Sequence, residues 1–418
     1  MIGAIATGTI RTSAVLAFKL ALQASNLLLL TYTLQPEDFG RFLGTVALAI
    51  LLGTLSTAGT HFLLLEAVSK NTGSRNRVMS FSVPTTILVG TVLLCIYTGI
   101  CLSLLQSGFN IKAIMMLGFT ETILQPLLSL ARMERLGRGY AARSQLITTY
   151  PILLRTIALS TIWVLEPHDP LICYIALYPI ASILVIACAT SQKQYRFPPL
   201  NSWMAPPFND LRRSIGFAVM GVATTSPGEL DKALAMKLLS PDASGVYSAA
   251  SRVIGALTLP VAAMMISALP RLFRDGYTNN SSATRLVKWT FWCALSYGTA
   301  GALALWLSAP YFSSIFGDAY HNVGTAIAWL SAAVPAMALR VASGNALMSL
   351  GKPWIRTASE LTGVAVLVTA AVPLAMSMQI RGLTLALIIT EWYMAVSGIT
   401  LTVFTLKQAR TRTVTAES

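Results

Sequence analysis

Apolar residues run along this 418-residue chain in long blocks, separated by short groups of Pro, Gly and charged residues. A helix that spans a membrane needs about 20 largely apolar residues, and twelve blocks of the chain reach that length. The pattern therefore predicts twelve membrane-spanning helices. They lie at 12–34, 41–65, 79–105, 112–132, 143–165, 170–190, 214–238, 245–270, 286–309, 323–349, 355–378 and 382–406.

The composition agrees with a chain that lies almost wholly in the membrane. Hydrophobic residues make up 55% and charged residues 11% of it, whereas a soluble domain carries about 25% charge. The longest predicted connection, 191–213, is too short for a soluble domain. The first apolar run continues past Lys19 to Leu34, which is too long for a cleaved signal. The five cysteines lie in apolar spans without metal-ligand spacing, and we expect no metal site.

The net charge of +14 is distributed unevenly between the two predicted sides of the membrane. If the N-terminus is cytoplasmic, the segments on the inside carry the whole positive surplus, and the outside loops carry a small negative total. This alternation is the positive-inside rule. It predicts cytoplasmic N- and C-termini, and it explains the basic surplus without a nucleic-acid partner.

One short motif occurs twice, about half the chain length apart. LQPEDFGRF at 34–42 and LSPDASGVY at 239–247 share Leu, Pro, an acid, Gly and an aromatic residue. Asn26 and Asp231 each lie ten residues before the Pro. Chance similarity of polar turns is the alternative, but the shared frame favours a duplication. We predict two pseudo-symmetric six-helix bundles, 1–211 and 212–418, around a central cavity, which is a plan that transporters use.

Four basic residues within predicted spans are candidates for binding a substrate: Lys19 and Arg155 in the first bundle, Arg252 and Arg340 in the second. A charge near the centre of a spanning helix costs about 2.5–3.5 kcal/mol on insertion scales. We expect these cations to line the cavity and to bind an anionic substrate. Two alternatives stay open: ion pairing with Glu121, Asp231 or Glu391, and snorkelling of Lys19 and Arg252 to the headgroups.

Other polar residues in or near the predicted spans lead to further predictions. Lys19, Gln23 and Asn26 share one helix face, which predicts a polar cavity lining, with hydrogen bonding between helices as the competitor. His61, near Thr57 and Thr60, is expected at the membrane interface. Glu360 lies four residues after Arg356, a spacing typical of an ion pair on a helix surface. TTSPGELDK at 224–232 predicts an interrupted helix, with simple Pro-kinked packing as the alternative.

Three segments carry a family resemblance. DKALAMKLLSPDASGVYSAASRV (231–253), LQPEDFGRF and APYFSSIFGDAY (309–320) resemble motifs of polysaccharide-unit exporters in the multidrug/oligosaccharidyl-lipid/polysaccharide (MOP) superfamily. The chain is most similar to the Wzx-type O-antigen or repeat-unit flippases. The resemblance implies a fold like that of the MATE multidrug exporters and translocation of an undecaprenyl-diphosphate-linked oligosaccharide across a bacterial inner membrane. Polysaccharide polymerase and chain-length machinery are the implied protein partners.

The implied mechanism is alternating access without bond chemistry. The sequence contains no phosphate-binding loop or nucleophile motif, so we expect a transporter rather than an enzyme. An H⁺ or Na⁺ gradient could drive it, with Glu121 and Asp231 as coupling candidates. A multidrug cation antiporter of the same superfamily is one alternative, although its cavity should be acidic. A membrane glycan polymerase or ligase is another, although such enzymes usually carry a large periplasmic loop.

Overall fold

Helices account for nearly all of the chain that the computed structural model describes, namely residues 2–105, 108–262, 264–265 and 280–417, with side chains from 11–105, 108–262, 264–265 and 284–408. No β-strand occurs within these ranges. The first eight helices are α1 (Ile2–Thr33), α2 (Pro36–Ser56), α3 (Thr60–Lys70), α4 (Arg75–Ile100), α5 (Ile111–Phe119), α6 (Gln125–Gly137), α7 (Ala141–Leu165) and α8 (Pro170–Thr190). The others are α9 (Phe208–Leu238), α10 (Pro241–Ala256), α11 (Asn280–Phe316), α12 (Val323–Leu330), α13 (Val334–Ser349) and α14 (Pro353–Glu417).

Within the described ranges, nine helical segments are long and apolar enough to cross a membrane. One of them, Pro353–Gln408, contains the last two predicted spans, because the backbone of α14 leaves helical geometry at Gln379. The seventh predicted span forms the long helix α9, but Glu229, Asp231 and Lys232 lower its hydropathy. The eighth predicted span extends beyond the described residues. The prediction of an all-α polytopic membrane protein is confirmed.

The two copies of the repeated motif form the same local structure. Each copy begins a helix with Pro in its first turn, and acidic residues follow in that turn. Pro fits there because the first turn of a helix does not need its backbone N–H. The aromatic residue at the end of each copy, Phe42 or Tyr247, is fully buried. In both places the motif therefore starts a helix and buries an aromatic side chain in its second turn.

The chain divides into two compact units, Met1–Thr225 and Ser226–Ser418, whereas the sequence places the division at 211/212. The start of α9 belongs with the first unit because polar contacts attach it there. Arg213 pairs with Glu66 at 2.7 Å, and Arg77 lies 3.7 Å from Asp210. Gly59 packs against the backbone of α9 at Ser214.

The second predicted span is not one continuous helix. α2 ends at Ser56, and the chain passes through left-handed backbone at Ala58 (φ 46°) and Gly59 (φ 77°) before α3 begins at Thr60. A side chain at position 59 would collide with the backbone of α9. The close packing of α9 at this point therefore accounts for both the glycine and the break.

A wide helical turn interrupts the fourth span between α5 and α6. Residues Thr120–Leu124 form one π-helical turn, a distortion that adds a residue to the turn and is frequent at functional sites. Two neighbouring helices approach its backbone at glycines. A β-carbon at Gly53 of α2 would meet the carbonyl oxygen of Glu121, and one at Gly90 of α4 would meet that of Thr122. The turn is thus held by close contact with its own unit.

We predict that Gly90→Ala destabilises the protein by about 1–3 kcal/mol, the usual range for overpacking a tight contact. The measurement is thermal unfolding of the purified protein in detergent. Gly99→Ala is the matched control on the same helix, because a β-carbon there meets open space. Gly99→Ala should leave the midpoint unchanged or raise it. Equal effects of the two substitutions would contradict the packing described for the wide turn.

Candidate functional site

Arg155 of α7 belongs to a buried polar network in the first unit. Its guanidinium lies over the Tyr178 ring, 3.4 Å from the ring centroid. Nη2 of Arg155 donates to Ser182 Oγ at 3.1 Å and lies 3.6 Å from Glu121 Oε1. The Tyr178 hydroxyl donates to the same Glu121 oxygen at 2.8 Å. The cation predicted at mid-membrane depth is therefore neutralised by the acid on the wide turn.

Arg340 of α13 is paired in the same way within the second unit. Its Nε donates to Glu391 Oε2 of α14 at 2.7 Å, and the Glu391 side chain is 1% exposed. Both arginines that sequence depth placed near the membrane centre thus have carboxylate partners. For these two residues, the ion-pairing alternative describes the structure.

Lys19 has a different environment. Its Nζ donates to Thr148 Oγ1 of α7 at 3.2 Å, and within the described residues it has no acidic partner. The charge that acts electrostatically on it is another cation, Arg132 of α6, which also acts on His61 of α3. Arg132 likewise lacks an acidic partner in the described part of the chain. We call Lys19 and Arg132 the cationic cluster.

The polar face that α1 was predicted to present contacts α7. Lys19 bonds to Thr148, and two helical turns further along α1 Asn26 Nδ2 donates to Thr156 Oγ1 at 3.2 Å. Hydrogen bonding between helices therefore occurs at two of the three positions. Gln23, between them, is exposed. A lysine ammonium has three donors, so the bond to Thr148 leaves Lys19 able to bind an anion.

Asp231 is the most fully bonded acid of the second unit. Its Oδ2 accepts from Ser251 at 2.8 Å and from Tyr247 at 3.1 Å, and its Oδ1 accepts from the backbone N–H of Lys232 at 2.8 Å. Arg252, next to Ser251 on α10, is half-buried. Its Nε has no hydrogen-bond partner among the described residues.

The predicted interruption at TTSPGELDK is wrong, because α9 continues as one helix through Pro227. Lys232 bonds to the carbonyl of Gly228 and lies 3.7 Å from Glu229 and 3.4 Å from Asp231. The charges of this stretch therefore pair along the helix. In the residues that the structure describes, no three His, Cys, Asp or Glu side chains are arranged to hold a metal ion.

Arg132 is the site residue that sequence reasoning missed. The fourth span was predicted to end at 132, which assigned Arg132 to the cytoplasmic loop. Instead, α6 continues to Gly137, and the chain turns at Gly139, where φ is 84°. A glycine just beyond the last turn is a common helix ending. With this glycine taken as the helix end, the sequence would have predicted a longer helix, with Arg132 more than one turn inside it.

No protein-family model and no curated protein sequence matches the chain. Several solved structures do. An inward-facing multidrug resistance MATE family transporter of the MOP superfamily superposes with a TM-score of 0.77 at 14% identity, covering 96% of this chain and 99% of that one. An outward-facing structure of such a transporter gives a TM-score of 0.68 at 13% identity, covering 97% and 96%.

A third similar structure is a MOP superfamily transporter from Pyrococcus furiosus Vc1 (DSM3638), described as having a binding pocket of reverse polarity that suggests a different function. Its TM-score is 0.67 at 11% identity, with 96% of this chain and 95% of that one covered. These similarities show that the chain has the fold of MATE transporters in the MOP superfamily. These three similar proteins are described as transporters.

We predict that Glu121→Ala destabilises the protein by about 3–5 kcal/mol, because it leaves the buried guanidinium of Arg155 without its counter-charge. The double variant Glu121→Leu/Arg155→Met should recover most of the loss, since well-packed apolar residues can replace a buried ion pair. Unfolding midpoints in detergent measure both effects. A double variant as unstable as Glu121→Ala would show that the pairing is not the cause.

Glu66→Ala is the control for an exposed ion pair, with an expected cost of about 0–1 kcal/mol. Glu66 lies just beyond the second predicted span. Hydrogen bonds from Lys70 and Arg213 lower the pKa of its carboxyl group. The small contribution of this pair is therefore present above the ordinary pKa of a glutamate and is lost as the pH falls.

Proposed function

We propose that this protein is a flippase for an undecaprenyl-diphosphate-linked oligosaccharide, an O-antigen or another polysaccharide repeat unit. It would move this substrate from the cytoplasmic to the periplasmic leaflet of a bacterial inner membrane by alternating access. One observation carries the proposal: Lys19 and Arg132 lie close enough to act on each other, and neither has an acidic partner within the described residues.

Two cations that act on each other within membrane-spanning helices need compensation for their charge. A charge near the centre of such a helix costs about 2.5–3.5 kcal/mol to insert, and like charges repel. Arg155 and Arg340 obtain compensation from Glu121 and Glu391. For the cationic cluster, an anion bound from outside the protein would supply it. The cluster therefore favours a substrate that carries negative charge.

A lipid diphosphate suits these side chains. The planar guanidinium of Arg132 can engage two phosphate oxygens at once, while Lys19 supplies a compact point charge. The exposed amide of Gln23 lies one turn from Lys19 on the same helix and can hydrogen-bond sugar hydroxyls. A polar path of this kind would spare the substrate the large cost of transferring unpaired polar groups into hydrocarbon.

The fold alone also supports a multidrug cation exporter, since solved structures of this fold include multidrug transporters. The Pyrococcus furiosus transporter, with its described reverse pocket polarity, indicates that the fold can serve different substrates. In this chain two buried acids that could bind a cationic drug are engaged elsewhere. Glu121 pairs with Arg155, and Asp231 accepts from Tyr247 and Ser251. The charge pattern therefore favours an anionic substrate.

Under this proposal the protein needs no cofactor. The energy would come from an H⁺ or Na⁺ gradient, or from consumption of the product on the periplasmic side. Polysaccharide polymerase and chain-length machinery are the partners that would consume it.

We predict that Lys19→Ala and Arg132→Ala each reduce export of surface polysaccharide by about tenfold or more. Loss of a hydrogen bond to a charged group removes about 1.5–3 kcal/mol, and 1.4 kcal/mol corresponds to a factor of ten. The measurement is complementation of a bacterium that lacks its own flippase, with protein level followed in parallel. Arg143→Ala is the matched control, because Arg143 is an exposed cation on α7.

The outcomes separate the candidate functions. Normal polysaccharide in both variants would contradict the proposal. If cells that express the unmodified protein become resistant to cationic drugs but do not regain surface polysaccharide, the protein is a multidrug exporter. Single repeat units on the surface of cells that lack the protein would indicate a polymerase, because loss of a flippase leaves none.

A further inference from the structure

Residues 191–213 connect α8 to α9 and belong to the first unit, and we call them the surface segment. The helix before them, Pro170–Thr190, is long and apolar enough to cross a membrane, and the helix after them forms the seventh predicted span. The surface segment therefore lies where two spans reach the membrane surface, on the side that the charge distribution predicts to be cytoplasmic.

One face of the surface segment is fixed to the helices beneath it. Phe197 and Trp203 pack against a hydrophobic cluster whose residues come mainly from α3, α4 and α6. Nη2 of Arg75 donates to the backbone carbonyl of Arg196 at 2.8 Å, and the N–H of Met204 donates to a backbone carbonyl of α4 at 3.1 Å. Four prolines within the segment restrict its backbone further. Its other face is thus presented outward in a defined conformation.

The outward face exposes large apolar side chains. Leu200 is 70% exposed, Met204 49% and Phe208 76%. Exposed apolar groups of this kind mark sites that contact another molecule or a membrane. Polar residues such as Asn201 and Asn209 lie between them in the sequence, so the segment is too polar to cross the bilayer. Its apolar side chains suit the boundary between lipid headgroups and acyl chains.

The same segment carries unpaired positive charge. It contains four basic residues and one acid, Asp210, which lies 3.7 Å from Arg77 of α4. One of the four, Arg213, pairs with Glu66. The other three are exposed and have no acidic partner among the described residues: Lys193, Arg196 and Arg212. A surface that combines free cations with exposed apolar side chains is complementary to an anionic lipid.

We propose that the surface segment is a binding site for anionic phospholipids of the cytoplasmic leaflet. Leu200, Met204 and Phe208 enter the boundary between headgroups and acyl chains, while the three free cations contact lipid phosphates. Long basic side chains suit this boundary, because their stems pack on apolar groups while their charged ends stay in the headgroup layer. The site is separate from the cationic cluster, and the inference holds whichever substrate the protein transports.

Other occupants satisfy only part of this surface. A free phosphate would pair with the cations but leave the apolar side chains in water. A second copy of the chain would bring the same positive charge against itself. An acidic protein would have to displace the leaflet at whose surface α8 ends. An anionic phospholipid satisfies the charged and the apolar side chains together.

The first experiment measures lipid binding at the segment itself. Asn201→Cys, an exposed position, carries a bimane fluorophore in a full-length protein whose exposed Cys95 and Cys188 are replaced by Ala, and the same protein without the new cysteine gives the background. The protein is placed in phosphatidylcholine nanodiscs that contain a small fraction of brominated lipid. Brominated phosphatidylglycerol should quench the fluorophore more than an equal fraction of brominated phosphatidylcholine. Equal quenching by the two lipids would overturn the proposal.

Substitutions separate the two parts of the surface. Lys193→Gln/Arg196→Gln/Arg212→Gln should lower the relative affinity for phosphatidylglycerol by about fivefold or more, the factor that one cation contributes near an anionic membrane. Leu200→Ser/Met204→Ser/Phe208→Ser should reduce quenching by both lipids. The matched control neutralises three exposed cations elsewhere: Lys112→Gln/Lys352→Gln/Arg381→Gln. A control that lowers the affinity as much as the first variant would contradict a site at the segment.

The second experiment distinguishes the sources of negative charge and needs no label. Thermal unfolding of the full-length protein in detergent is followed with added phosphatidylglycerol, inorganic phosphate or polyglutamate. A ligand that binds the folded state raises the midpoint, and only phosphatidylglycerol should do so through the three free cations. Equal stabilisation by inorganic phosphate would identify a free-anion site, and equal stabilisation by polyglutamate would identify a surface for an acidic protein. Either result would overturn the proposal.

The variants should keep the unmodified midpoint when no lipid is added, because every substituted side chain is at least half exposed or lies in an exposed residue. Neither experiment measures transport. Their failure would therefore leave the proposed function unaffected, and a failure of polysaccharide export would leave the lipid site unaffected.

Discussion

A charge inside a membrane-spanning helix must be compensated, and this constraint organises both units of the protein. Arg155 lies against Glu121 and the Tyr178 ring in one unit, and Arg340 lies against Glu391 in the other. Each pair joins two different spans of the same unit. Breaking one partner of such a pair is costly, so these contacts fix which helix faces point inward. Within the described part of the chain, the cationic cluster lacks such compensation, and the proposed function rests on it.

Sequence reasoning predicted the helices well because their determinants are local. An apolar block of sufficient length and a Pro with an acid at a helix start are properties of neighbouring residues, and α2 and α10 begin as the repeated motif predicts. The break at Ala58 and Gly59 could not be predicted in this way. It depends on the packing of α9 against α3, a contact between residues separated by more than 150 positions.

The candidate site was predicted less completely, for the same physical reason. Depth along a helix identified Lys19, Arg155, Arg252 and Arg340 as cations within the membrane, but depth does not reveal the neighbour of a side chain. Only the packing of α7 against the fourth span shows that Arg155 has an acid. Only the packing of α1 and α6 against α7 shows that another cation, Arg132, acts on Lys19. The pairing of Arg340 with Glu391, 2.7 Å apart, likewise depends on how α13 packs against α14.

The wide turn at Thr120–Leu124 has a geometric effect on everything that follows it in the fourth span. A π-helical turn accommodates one extra residue, and one residue of an α-helix corresponds to a rotation of about 100°. The turn therefore sets the angular phase of α6 relative to α5. Arg132, which acts electrostatically on Lys19 and His61, lies on the part of the span whose phase this turn sets. A change in helical register thus sets the direction of a cationic side chain that lies more than a full turn further along the span.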